Sequence, residues 1–145
     1  MRNIRYITVG EVRQVAHALA KELLAFNEPI PEFHTRYPQA LERCLFAIAQ
    51  TYNKKELYEG LPKKAAVLFY LMVKNHPFQN GNKRVAVMTL IYFLYMNLKW
   101  IKLDNQELYN FAKWVAESNP KVKDATILAI ASIINTYMIE REIEK

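Results

Sequence analysis

The sequence predicts an all-α bundle of about six helices folded as a single domain over residues 1–145. Three observations predict it. Hydrophobic residues make up 52% of the 145, enough to bury a sizeable core. Only three glycines and six prolines punctuate the chain, too few for the many tight turns of an all-β fold. Apolar residues also recur at helical spacing through most of the length.

Thr8 caps a first helix that runs to Phe26, with Glu11 as its capping-box partner. Val12, Val15, Ala16, Leu19, Leu23 and Leu24 form its apolar stripe. Three prolines, Pro29, Pro31 and Pro38, make 27–38 an extended loop with room for a short edge strand. Gln39 to Tyr52 returns to helix, with Leu41, Leu45, Ile48 and Ala49 facing inward, and Asn53 to Leu61 is a polar connector. Pro62 suits the first turn of the next helix. Ala65, Ala66, Leu68, Phe69, Met72 and Val73 carry that helix until it stops near Asn75, ahead of Pro77. Arg84 to Met96 is apolar nearly all round, as expected of the buried centre of a bundle. Asp104 starts a helix that reaches Ser118, with Glu107 as capping-box partner. After Pro120 a last helix spans Lys123 to Ile139, followed by the charged tail Glu140 to Lys145.

The net charge of +6 is spread over scattered lysines such as Lys54-Lys55 and Lys63-Lys64. That distribution suits a solvated surface better than a polyanion-binding arm. Nothing resembles a recognition helix with its turn, so nucleic acid is not the expected partner. Cys44 is the only cysteine. No intramolecular disulfide can form, which fits a reducing cytoplasm, the expected location. No apolar run reaches the length of a membrane span, and the first residues lack a signal peptide's apolar stretch. P-loop and Rossmann glycine signatures are both missing.

The segment His76-Pro77-Phe78-Gln79-Asn80-Gly81-Asn82-Lys83-Arg84 stands apart. It sets one imidazole, two asparagines, a glycine, a lysine and an arginine between two apolar helices. The second helix begins inside it, and a helix N-terminus offers unpaired N–H groups to an anion. Gly81 allows the turn that would bring those groups to bear. Lys83 and Arg84 lie in the first turn, where the helix dipole disfavours cations, and a bound phosphate chain would account for both. A histidine beside that phosphate can take the proton of an attacking hydroxyl. Singly, each residue has an ordinary reading as a cap, a turn residue or a surface charge; nine together between two core helices point to a site.

These nine residues resemble the signature of the Fic/Doc superfamily. The Fic branch reads H-P-F-x-[D/E]-G-N-G-R, and the death-on-curing (Doc) branch has N-K-R in its later part, as Asn82-Lys83-Arg84 does here. Ala40-Leu41, Glu56-Leu57-Tyr58, Lys64-Ala65-Ala66 and Phe93-Leu94 through Asn97 extend the likeness over roughly residues 38 to 117. The resemblance implies a compact helical Fic fold with the motif loop between two central helices. It implies that His76 is the general base, that Phe78 anchors the loop inward, and that Gly81, Asn82, Lys83 and Arg84 bind the phosphates of ATP. Fic members move AMP onto a protein hydroxyl. Doc members move the terminal phosphate onto a translation elongation factor and are toxins held by a small antitoxin. Lys83 in the place of the Fic glycine, and Val87 where Fic proteins carry a later arginine, favour the Doc reading, with AMP transfer as the alternative. Asn80 stands where the family holds the Asp or Glu that binds Mg²⁺. A neutral amide is a poorer ligand for a hard dication, so a weakened, binding-only descendant is a further alternative. Segment 27–37 falls where Fic proteins carry a target-docking flap. Thr136 to Glu140 has the spacing of the family's inhibitory helix, but Arg141 follows in place of its Gly or Asn.

Overall fold

A computed structural model describes residues 3–23 and 29–142. Leu24, Phe26 and Asn27, the expected end of the first helix and start of the loop, lie outside the described residues, as does the end of the charged tail. Six helices form the body, as expected. Helix α1 is built of three contiguous pieces, Val9–Glu11, a π-helical Val12–His17, and Ala18–Leu23. It is followed by α2 (Pro38–Ala47), α3 (Leu61–Lys74), α4 (Asn82–Met96), α5 (Asn105–Glu117) and α6 (Lys123–Tyr137). Both expected capping boxes are present, at Thr8 with Glu11 and at Asp104 with Glu107.

Helix α4 runs through the middle. Val85, Val87, Leu90, Phe93 and Leu94 on it are fully buried, and α1, α3 and α5 all pack against it. Helix α3 packs on both α4 and α6. One apolar cluster therefore runs from Ile7 and Val12 through Leu41, Phe69 and Leu90 to Ile134. At the end of α4 the Asn97 side chain acts as a backbone mimic. It accepts from Arg5 N–H at 2.8 Å and donates to Arg5 C=O at 3.0 Å, tying the N-terminal segment to the helix.

The structure departs from expectation at six places. Helix α2 stops at Ala47, and Thr51–Tyr52 (β1) pairs with Lys55–Glu56 (β2) as a hairpin. Asn53 and Lys54 both take positive φ, 52° and 64°, which gives the turn a twist that matches the paired strands. The run is polar and exposed, so periodicity did not mark it. The last helix ends at Tyr137, and Met138–Glu140 (β4) pairs antiparallel with Lys99–Ile101 (β3). That pairing joins residues some forty positions apart and leaves no local signal. The proline-rich segment forms a 3₁₀ turn at Phe33–Thr35, and no strand occurs among the described residues 29–37. Lys64, assigned to the solvated surface with its neighbour Lys63, is 1% exposed. Its Nζ donates to Ile48 C=O at 3.1 Å and to Tyr58 C=O at 2.5 Å, with Glu56 at 3.5 Å. It fastens the end of α2 and the hairpin segment to α3. Of the predicted stripe on α1, Val12 and Ala16 are buried, but Leu23 is 55% exposed. Ala49 is exposed as well.

Among the described residues no helix is long and apolar enough to cross a membrane. Cys44 is buried, and desolvation pushes its thiol up to about 12, which leaves it chemically inert near neutral pH.

Candidate active site

The motif loop joins α3 to α4. Helix α3 ends at Lys74, and His76 takes a left-handed φ of 47°. For a residue with a side chain this costs about 1 kcal/mol, and surrounding contacts hold it there. The loop re-enters helix at Gly81, whose φ of 74° makes it the left-handed N-cap of α4. A side chain at Gly81 would strike Ile30 Cγ1 at 2.7 Å and Pro29 C=O at 3.0 Å. Gly81 is therefore required twice, by its own turn and by the proline-rich segment lying against it.

Asn82 organises the loop. Its Oδ1 accepts from Phe78 N–H and its Nδ2 donates to Phe78 C=O, both at 2.9 Å. This pair of hydrogen bonds fixes which atom of the amide is which. The second N–H of Nδ2 then points to His76 Nδ1, at 3.4 Å. Since Nδ2 only donates, Nδ1 accepts, and the proton of the neutral ring resides on Nε2 in this geometry. The contact is long and therefore weak.

His76, Asn80, Asn82 and Lys83 line one small polar cleft of about 300 Å³, closed on its other sides by Val73, Gln79 and Ala116. His76 is exposed, Lys83 is half-buried and Asn82 is buried. The structure thus brings together four of the residues singled out in the sequence. Phe78 turns inward and is 1% exposed, which is the anchoring position expected of it. Gly81 sits at the head of α4.

Arg84 is not brought into the cleft. The residue is 6% exposed, and its Nη2 donates to Ala20 C=O of α1 at 2.6 Å. Lys83 and Arg84 are successive helical residues, so their side chains leave the axis about 100° apart. In this structure Lys83 lines the cleft and Arg84 turns to α1 instead. In this geometry Arg84 ties α4 to α1.

His17 was not singled out in the sequence. It lies in the π-helical stretch of α1, 4% exposed, and its Nε2 donates to Pro31 C=O at 3.0 Å. Its ring lies 5.4 Å from those of both Phe33 and Phe78. Phe33 and Phe78 are themselves 5.8 Å apart, and Tyr37 N–H donates to Pro77 C=O at 2.9 Å. The proline-rich segment is thus bound to the motif loop through His17, Phe33 and Tyr37. A signal did exist: His17 is three residues before Ala20 and next to Ala16, on the buried face of α1.

Burial holds the His17 imidazole below its ordinary value of 6.5, and Lys21 adds to this. The Pro31 carbonyl and Glu32 oppose it. The unfolded chain therefore takes up a proton here that the folded chain resists, so stability falls as pH drops below 6.5. A thermal midpoint that declines as pH falls below 6.5 is expected, with a smaller decline in His17→Gln, which keeps an N–H donor without the titration. Equal declines in both proteins would assign the acid sensitivity elsewhere.

A comparison with protein-family profiles matches the Fic/DOC family over residues 6–94. The chain belongs to the Fic/Doc family. The match covers more than half the chain, taking in α1, the proline-rich segment and the motif, and ends within α4. It begins well before residue 38, where the likeness in the sequence was first apparent. Members of this family generally catalyse nucleotidyl transfer to proteins. No curated protein and no solved structure matches the chain.

The Mg²⁺ that the motif implies does not fit the residues of this Fic/Doc cleft. Among the described residues no carboxylate lines it, and no cluster of three or more His, Cys, Asp or Glu suited to a metal occurs among them. Asn80 turns its Oδ1 onto Gly81 N–H at 2.8 Å, so even its amide oxygen already has a donor. The inhibitory-helix spacing at Thr136 to Glu140 gains no support either. Thr136 donates to Ser132 C=O within its own helix, and Glu140 pairs with Lys99 across the β3–β4 ladder.

Proposed function

We propose that this Fic/Doc protein transfers the terminal phosphate of ATP to a hydroxyl of a protein substrate, as a Doc-type toxin would. The observation that carries this reading is the shared cleft of His76 and Lys83. A base beside a lysine at the head of a helix suits phosphoryl transfer. Lys83 neutralises charge on the phosphate oxygens, and the N–H groups at the start of α4 contribute to the same end. The bond between the γ-phosphorus and its bridging oxygen breaks, and a bond from the substrate oxygen forms. The hydroxyl proton goes to His76 Nε2, and ADP leaves. For Nε2 to accept that proton the ring must carry its own on Nδ1, so the 3.4 Å contact with Asn82 is given up in the reacting complex. The protein substrate on this reading is a translation factor, the setting is the cytoplasm, and a small antitoxin is the expected partner.

The test is label transfer. Label should pass to protein from γ-labelled ATP and be lost in His76→Ala. Transfer from α-labelled ATP would instead assign AMP transfer, the Fic-branch activity.

Asn80 supports a second reading, a nucleotide- or partner-binding descendant with little turnover. Phosphoryl transfer usually leans on a metal, and the described residues of this cleft include no carboxylate to hold one. Asn80→Asp is expected to lower the Mg²⁺ concentration for half-maximal transfer by about tenfold, equivalent to about 1.4 kcal/mol. Activity gained only in Asn80→Asp would establish the binding reading. A fully Mg²⁺-saturated wild type, unimproved by the change, would dismiss it.

A further inference from the structure

A second cleft, of about 360 Å³, lies between the start of α1 and the proline-rich segment. It shares no lining residue with the motif cleft. Arg13, His34 and Arg36 line it, and Glu32 is the one carboxylate among its described lining residues. Glu32 is engaged elsewhere, 3.5 Å from Lys21 Nζ. Neither arginine has a carboxylate within ion-pair distance among the described residues. Arg36 is nonetheless held in place. Its guanidinium lies 4.4 Å over the Phe33 ring, and its Nη1 makes a long 3.4 Å bond to Phe33 C=O. Its Nε is enclosed and has no hydrogen-bond partner.

We propose that this cleft binds a phosphate group. Among the described residues neither guanidinium has an ion-pair partner, so the two carry two positive charges, and a phosphate monoester carries nearly two negative ones at neutral pH. A carboxylate would neutralise only one of them. The planar fork of arginine suits phosphate oxygens, and a pre-positioned fork loses little freedom on binding. Arg36 is fixed by its stacking over Phe33. Arg13, which is exposed, closes on the ligand from α1. A free phosphate compound and a phosphorylated side chain of a protein share this chemistry.

The test uses the full chain carrying His76→Ala and Lys83→Ala, so that no anion is held by those two groups and no activity is read. Inorganic phosphate is titrated at constant ionic strength while the arginine Nε–H resonances are followed by NMR. Saturable shifts of Arg13 and Arg36 are expected. The dissociation constant should rise by about tenfold or more in Arg13→Gln, a change at an exposed side chain that leaves the fold intact. Acetate should produce no saturable shift. A phosphoserine peptide that binds more tightly than inorganic phosphate would identify a protein source, and equal affinities a free one. The proposal is overturned by the absence of saturation, by an equal response to acetate or to the unphosphorylated peptide, or by affinity unchanged in Arg13→Gln. Loss of binding in the double variant relative to the parent would return the phosphate to the motif cleft and overturn it too.

Discussion

Replacing His76 by alanine is expected to slow phosphate transfer by about 10²- to 10⁴-fold, the usual contribution of a positioned general base. Folding should be nearly unaffected. His76 is exposed, and the hydrogen bond it forfeits is the long 3.4 Å contact with Asn82. The two effects separate cleanly, because Asn82 keeps both its bonds to Phe78 and so keeps the loop in shape. Single-turnover rates, ATP affinity and a melting curve, measured on one preparation, decide the matter. Lower rate with unchanged ATP binding places His76 at the proton transfer. Undiminished rate removes it from the chemistry.

Lys64→Met should cost about 3 kcal/mol of stability, the second large effect. Methionine fills a similar volume but gives no donor, so the carbonyls of Ile48 and Tyr58 lose the ammonium that satisfies them. For a domain of this size the midpoint should fall by about 10 °C. Lys63→Met, one residue earlier and half-buried, serves as the control and should shift it little. If both variants melt with the wild type, the ammonium is not holding α2 and the hairpin to α3.

Much of the site was legible before any coordinates. His76, Asn80, Asn82 and Lys83 were singled out from nine consecutive residues, and one cleft holds all four. Phe78 points inward as expected. They lie together because the loop is short and bounded by two strongly apolar helices, so its residues cannot be far apart. Arg84 was grouped with Lys83 because adjacency in sequence was read as adjacency in space. Arg84 instead meets the Ala20 carbonyl, a partner on another helix that sequence order does not reveal. His17 went unmarked because its partners, Pro31, Phe33 and Phe78, come from other segments. The same holds for Lys64, whose carbonyl partners lie sixteen and six residues away. The ladder between β3 and β4 joins two segments that carry no common local signal.

The order of residues by itself determined the helical periodicity, the capping boxes at Thr8 and Asp104, the buried centre at α4 and the chemical content of the motif. Each of these depends on interactions within a few residues of chain, or on the apolarity of a whole segment. Only the tertiary structure decided which cation faces the cleft, which histidine binds the proline-rich segment, and which lysine is interior. Those outcomes depend on where a second element's carbonyl or ring comes to rest. A buried polar group is settled by the partner that satisfies it, and that partner is chosen by the packing of the whole molecule.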